Sequence, residues 1–164
     1  MAVGKPITNE VTDSFSRPAD TTAYTSQDLV ANSTTAGSVL PLQFGIQVAD
    51  GRGVKIVAAR IQKSGTGVTN ATFTLYLYRS FPVVVNGDNG AFSTDTASFI
   101  GTIAFSTMSA FTDDALQTVD LGDDDAVRVY LRATDTIYGL LKAEAAYTPA
   151  SAETFYVFLN TEQY

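Results

Sequence analysis

Two clusters of oxygen-bearing side chains are the parts of this chain whose types and spacing suit chemistry. Asn86-Gly87-Asp88-Asn89-Gly90 alternates carboxylate and amide groups with glycine, and between Asp113 and Asp125 there are six aspartates, at 113, 114, 120, 123, 124 and 125. Oxygen ligands on a tight loop are what a hard cation such as calcium takes. The EF-hand pattern is absent, because no glutamate stands at the twelfth loop position. Asn-Gly and Asp-Asn-Gly are also ordinary tight-turn chemistry. Three consecutive aspartates, Asp123 to Asp125, cannot converge from a strand, since neighbours point to opposite faces. As a solvated acidic loop they would cap strand ends and resist edge pairing.

Carboxylate pairs also raise glycoside hydrolysis, which needs two Asp or Glu groups flanking a sugar cleft, one with a raised pKa. Glutamates are few, Glu10 and Glu162 lie near the ends, and the aspartates sit in turn contexts. The chain contains no histidine, cysteine or tryptophan. That removes the usual base near neutral pH, the thiol nucleophile and the soft metal ligands. Ser-His-Asp catalysis is excluded, and neither GxxxxGK[ST] nor GxGxxG before a helix occurs. The expectation is a structural or binding module with no enzymatic activity, no cofactor, and no catalytic, cofactor-binding or metal-ligating residue. Tyr76, Tyr78, Tyr130, Tyr138, Tyr147 and Tyr156 are the best binding signal: exposed they would make a sugar platform, covered an oligomer interface, and otherwise core.

The bulk properties set the frame. At 164 residues, one domain is expected, burying roughly two-thirds of its unfolded surface, so closure needs neither disulfide nor zinc. Hydrophobic content of 45% against 16% charged residues argues for a globular chain. A net charge of -7, with ten scattered basic residues, argues against a nucleic-acid partner. No stretch approaches the roughly 18 apolar residues of a membrane span, and Met1–Glu10 has no apolar targeting core. The expectation is synthesis in the cytoplasm and no membrane contact.

The elements that must position these residues are strands. Leu40, Leu42, Phe44, Ile46 and Val48 alternate on one face. Asp50-Gly51-Arg52-Gly53 reads as a turn, followed by a strand over Val54–Ser64 with Val57, Ala59 and Ile61 on one side. Ala71–Arg79 puts Phe73, Leu75 and Leu77 opposite Tyr76 and Tyr78. Pro82 marks an edge or kink before Val83–Val85. Phe99, Gly101, Ile103 and Phe105 form one row. Ala126–Ala133, Ile137–Ala145 and Thr154–Asn160 complete the set; in the last, Tyr156 and Phe158 give a second apolar face, as on a central strand or a subunit contact. Ser106–Leu116 is expected as one helical turn or a short helix. Residues 1–22 read as an extended arm with one short strand around Val11–Ser16, either frayed or docked, and residues 23–164 as one domain. About eight strands with turns between them predict an all-β fold: an antiparallel β-sandwich, jelly-roll-like, with an extended N-terminal arm.

Three stretches together carry a resemblance. They are Thr22–Asn32, Val83–Ser93 with Asn86-Gly87-Asp88-Asn89-Gly90-Ala91-Phe92, and Ile137–Leu159 with Tyr138-Gly139-Leu140-Leu141 and Ala146-Tyr147-Thr148-Pro149-Ala150-Ser151. From about residue 20 onward the chain resembles small structural proteins of tailed bacteriophages. The resemblance implies a virion component on the capsid surface, a decoration or cement protein that self-associates, as a trimer in such proteins, and contacts the major capsid protein. Residues 1–22 would be its strap. A tail or fibre module touching host glycan is the alternative.

Overall fold

The computed structural model describes residues 8–47, 53–130 and 134–164. Its strands are β1 (Thr8–Ser16), β2 (Leu29–Val30), β3 (Leu42–Gln47), β4 (Gly53–Lys63), β5 (Phe73–Tyr78), β6 (Phe99–Phe105), β7 (Ser109–Ala110), β8 (Ala115–Asp120), β9 (Val127–Tyr130), β10 (Thr134–Ala143) and β11 (Thr154–Gln163), with a 3-10 turn at Ala36–Ser38. They form two antiparallel sheets. A six-stranded sheet runs β1-β11-β4-β8-β7, with β9 also pairing β4; a five-stranded sheet runs β2-β10-β5-β6, with β3 also pairing β10. The chain is an all-β antiparallel sandwich.

Alternation is what closes it. Phe44 and Ile46 of β3, Phe73, Leu75 and Leu77 of β5, Ala59 and Ile61 of β4, and Phe155, Val157 and Leu159 of β11 all turn inward and are buried. Phe73 meets Phe155 edge-on across the core, centroids 5.4 Å apart. Each such ring or branched side chain removed from water contributes roughly 1.5–3 kcal/mol. A smaller cluster of Leu29, Ala31, Val39, Tyr78 and Leu140 lies apart from this core. Tyr78 and Leu140 stand at the opposite parity to the inward residues of β5 and β10, so this cluster sits on the outer side of the five-stranded sheet, under the loops.

Several expectations change. The short strand expected around Val11–Ser16 of a frayed or docked arm is a longer, docked one, Thr8–Ser16, paired with β11 along its whole length, from Thr8↔Glu162 to Ser16↔Thr154. Val11 and Phe15 pack on the core, and Phe15 stacks on Phe155 at 5.6 Å. β11 is therefore central, between β1 and β4, which accounts for its apolar second face. Leu40 is 61% exposed instead of sharing the row of Leu42, because Pro41 intervenes and Val39 is the residue turned inward. The row through Phe99 breaks: the register shifts between Leu77 and Tyr78, Tyr78 faces Phe99, and Ile100 rather than Phe99 packs on the core. The helical turn expected over Ser106–Leu116 is instead β7 and the start of β8, and β8 runs through the aspartate-rich stretch. Val57 leaves the row of Ala59 and Ile61 for a reason that shapes the site below. The turn at Asp50-Gly51-Arg52, and Val48, Leu131 and Arg132, lie outside the described residues.

Candidate functional surfaces

Three places bring polar or exposed apolar groups together. The first is buried. Arg17, just past β1, donates from Nε to the Tyr24 hydroxyl at 2.7 Å and from Nη2 to Asp88 Oδ2 at 2.9 Å. The Tyr24 hydroxyl donates to Asp88 Oδ1 at 2.6 Å, and the Ala31 amide donates to the same oxygen at 2.8 Å. Lys63, the last residue of β4, pairs with Glu153 Oε1 at 2.9 Å and also donates to the Gly65 carbonyl; the Tyr147 hydroxyl donates to Glu153 Oε2. Both ion pairs are sealed from solvent. Tyr24 and Tyr147 stack between them, so the network is continuous.

Burial pushes the Tyr24 hydroxyl far up, and the Asp88 carboxylate it donates to adds to that. Burial does the same for Tyr147, aided by Glu153. Both phenols therefore stay protonated and act as donors. Burial also pushes the Asp88 carboxyl up, against the pull of the Ala31 amide, the Tyr24 hydroxyl and the Arg17 guanidinium. Every polar group here is engaged by a neighbour in the fold, so the network's work is to hold loops together.

Those loops are the stretches singled out in the sequence. Leu29 N donates to Gly90 O and Asn89 N to Leu29 O; Phe92 N donates to Gln27 O; Tyr24 N donates to Tyr147 O. Residues 22–32, 86–92 and 137–159 thus meet at one place. The Asn86–Gly90 turn is a hairpin tip whose Asp88 points inward as an anchor. Gly87 is required there, because a Cβ would lie 2.1 Å from the Thr34 backbone.

The second place is the flank of that hairpin. Val84 bridges Thr94, Val85 N donates to Ser93 O, and Asp95 N donates to Val83 O. Phe81, Val83 and Val85 alternate outward and are 53%, 65% and 61% exposed. Beneath the hairpin a bowl of about 400 Å³ is walled by Tyr76, Tyr78, Phe92 and Phe99. Tyr76 lies 4.5 Å from Phe92 and 6.1 Å from Phe99.

The third place is a trough of about 710 Å³ on the outer face of the six-stranded sheet. A β-bulge borders it. β11 pairs β4 as Asn160↔Ala58 and then Thr161↔Ile56, which leaves Val57 without a partner on β11. Next to the bulge runs one cross-strand row, Glu10–Asn160–Ala58–Asp120, with the small Ala58 in its middle. The next row is Thr12–Phe158–Arg60–Thr118. Arg60 lies over the Phe158 ring, 3.8 Å from its centroid, and its Nε has no hydrogen-bond partner among the described residues. Bulges recur where a sheet is re-aimed for a site.

The aspartate-rich stretch does not converge. Asp114 Oδ2 accepts from Gln62, Asp120 Oδ1 from the Gly122 amide, and Asp123 pairs with Lys55. Among the described residues no group of three or more carboxylates is placed to hold a metal ion. Of the tyrosines, Tyr24 and Tyr147 join the buried network, Tyr76 and Tyr78 line the bowl, and Tyr156 is 38% exposed on the outer face of β11; Tyr130's side chain lies outside the described residues. Sequence reasoning missed Arg17, Lys63 and Glu153, and it missed the trough. No protein-family model matches the chain, and no curated protein matches it.

Proposed function

We propose that this chain is a structural protein of a tailed-phage virion, a decoration or cement protein that binds the outside of the head and braces neighbouring subunits. The observation that carries the reading is the hairpin flank of Phe81, Val83 and Val85. It is an exposed apolar row on a hairpin whose tip a buried ion pair anchors. Exposed apolar side chains in one place are the mark of a contact surface. The sandwich supplies a rigid base, and the buried charges are consumed in bracing it. Self-association, as a trimer, and contact with the major capsid protein belong to the same proposal.

Quantitative mass spectrometry of purified virions tests it. Abundance near that of the major capsid protein is the expected result. A handful of copies would move the chain to a tail or fibre part, and absence from the particle would remove it from the virion altogether; either outcome overturns the decoration reading.

A further inference from the structure

We infer that the trough on the outer face of the six-stranded sheet is a binding site for a short neutral oligosaccharide lying across the strands. The trough lies beside the bulge at Val57, and Ala58 leaves the middle of the row low between longer neighbours. Its volume, about 710 Å³, is in the range of ligand sites, roughly 300–1,000 Å³. Glu10 on β1 and Asp120 on β8 stand three strand spacings apart, so their Cα atoms are separated by roughly 14 Å. That Cα span exceeds the width of a single sugar ring. It suits a ligand longer than one ring.

The side chains suit vicinal hydroxyls. Glu10 and Asp120 are acceptors at the two ends, Arg60 is a donor, and Asn160 and Thr118 both donate and accept. A sugar hydroxyl also donates and accepts, so it can bridge any neighbouring pair of them. Arg60 is steadied by its place over the Phe158 ring, which lowers the cost of ordering it on binding. Charge chooses among ligands. Two carboxylates and a chain net charge of -7 disfavour a polyanion, while the Arg60 guanidinium beside the row offsets one of the carboxylates against a basic peptide. An apolar partner would leave the row's polar groups unpaired.

The proposal is independent of head decoration, because virion abundance and sugar binding are read separately. The test uses the full chain on an array of neutral and acidic oligosaccharides, with deca-lysine as a further probe, followed by titration calorimetry with the best neutral glycan. Expected are neutral spots bound, affinity indifferent to added salt, and a loss of at least about tenfold in both Ala58→Leu, which fills the trough, and Asn160→Ala. Both variants should keep the parent melting temperature. Binding to no glycan, binding to deca-lysine instead, or glycan binding that survives both substitutions and disappears in Phe99→Ala would each overturn it; the last would place the sugar in the aromatic bowl.

Discussion

Tyr24 and Tyr147 lie nearly parallel, ring centroids 6.2 Å apart at an interplanar angle of 6°, and each donates its hydroxyl to the carboxylate of a different buried ion pair. Arg17 lies 5.0 Å from the Tyr24 centroid and Lys63 5.1 Å from that of Tyr147. The stacked rings join one pair, which pins the hairpin tip to the end of β1, to another, which pins the loop before β11 to the end of β4.

Asp88→Asn should therefore leave the buried Arg17 guanidinium with only the more distant Asp20, at 3.4 Å, as a carboxylate partner. Breaking a buried pair on one side costs about 3–5 kcal/mol, a fall in melting temperature on the order of 10 °C for a chain of this size. Thermal melting followed by circular dichroism checks it. Asp88→Asn combined with Arg17→Met should recover part of the loss. A single variant that melts with the parent would show that the pair does not brace the fold.

Tyr147→Phe keeps the stack and removes only the donor to Glu153. The expected cost is about 1–3 kcal/mol, that of leaving a buried acceptor short of a partner. Urea denaturation measures it, and an unchanged midpoint would refute the role given to the hydroxyl.

Gly87→Ala should destabilise through the backbone. Its Cβ would fall on the Thr34 main chain, which cannot rotate away as a side chain can. Overpacking of this kind costs typically about 1–3 kcal/mol. Faster amide exchange confined to residues 86–92 and their partners would locate the damage; uniform exchange would contradict the assignment.

Acid should weaken the fold through Glu144. Burial alone would raise this carboxyl, but hydrogen bonds from Thr74 and Lys142, the Lys142 charge and Gln27 outweigh it and hold it below the ordinary 4.5. A carboxyl depressed in the folded state contributes stability above its unfolded pKa and loses it as pH falls through the folded one. Melting temperature should therefore decline as pH drops below about 4.5, and less steeply in Glu144→Gln. Parallel profiles for the two proteins would remove Glu144 from the account.

Val83→Asp and Val85→Asp change exposed positions and should leave stability within about 0.5 kcal/mol. If the hairpin flank is the head contact, both variants should fail to co-sediment with capsids that bind the parent. Undiminished co-sedimentation would assign the contact to another face.

The strands were legible where alternation was clean, as in Leu42–Ile46 and Phe73–Leu77. Reading failed where one extra residue reverses the faces: Val57 and Ile100 both sit at register shifts that depend on the partner strand. The aspartate-rich stretch concealed β8 because its charges mark the strand's ends and outer face, while Val119 packs on the core. The buried charges did carry a signal. Lys63 continues the inward parity of Ala59 and Ile61, Glu153 that of Phe155 and Val157, and Arg17 that of Val11 and Phe15. A charge at inward parity on a strand end has to find a partner. Which partner it finds depends on loops distant in sequence: Arg17 and Asp88 are 71 residues apart. The trough was not legible, because it arises from four strands placed side by side.

The pairing of β1 with β11 has a consequence for how the chain is made. The first described strand lies against the last, and β11 is also what joins β1 to the rest of its sheet. A ribosome delivers β1 long before β11. Until residues 154–163 have left the exit tunnel, Val11 and Phe15 have no ladder to join, and β4 lacks the strand along one of its edges. The six-stranded sheet therefore completes only as synthesis of this stretch ends. Its closure is the longest-range strand pairing among the described residues, and long-range pairing is slow.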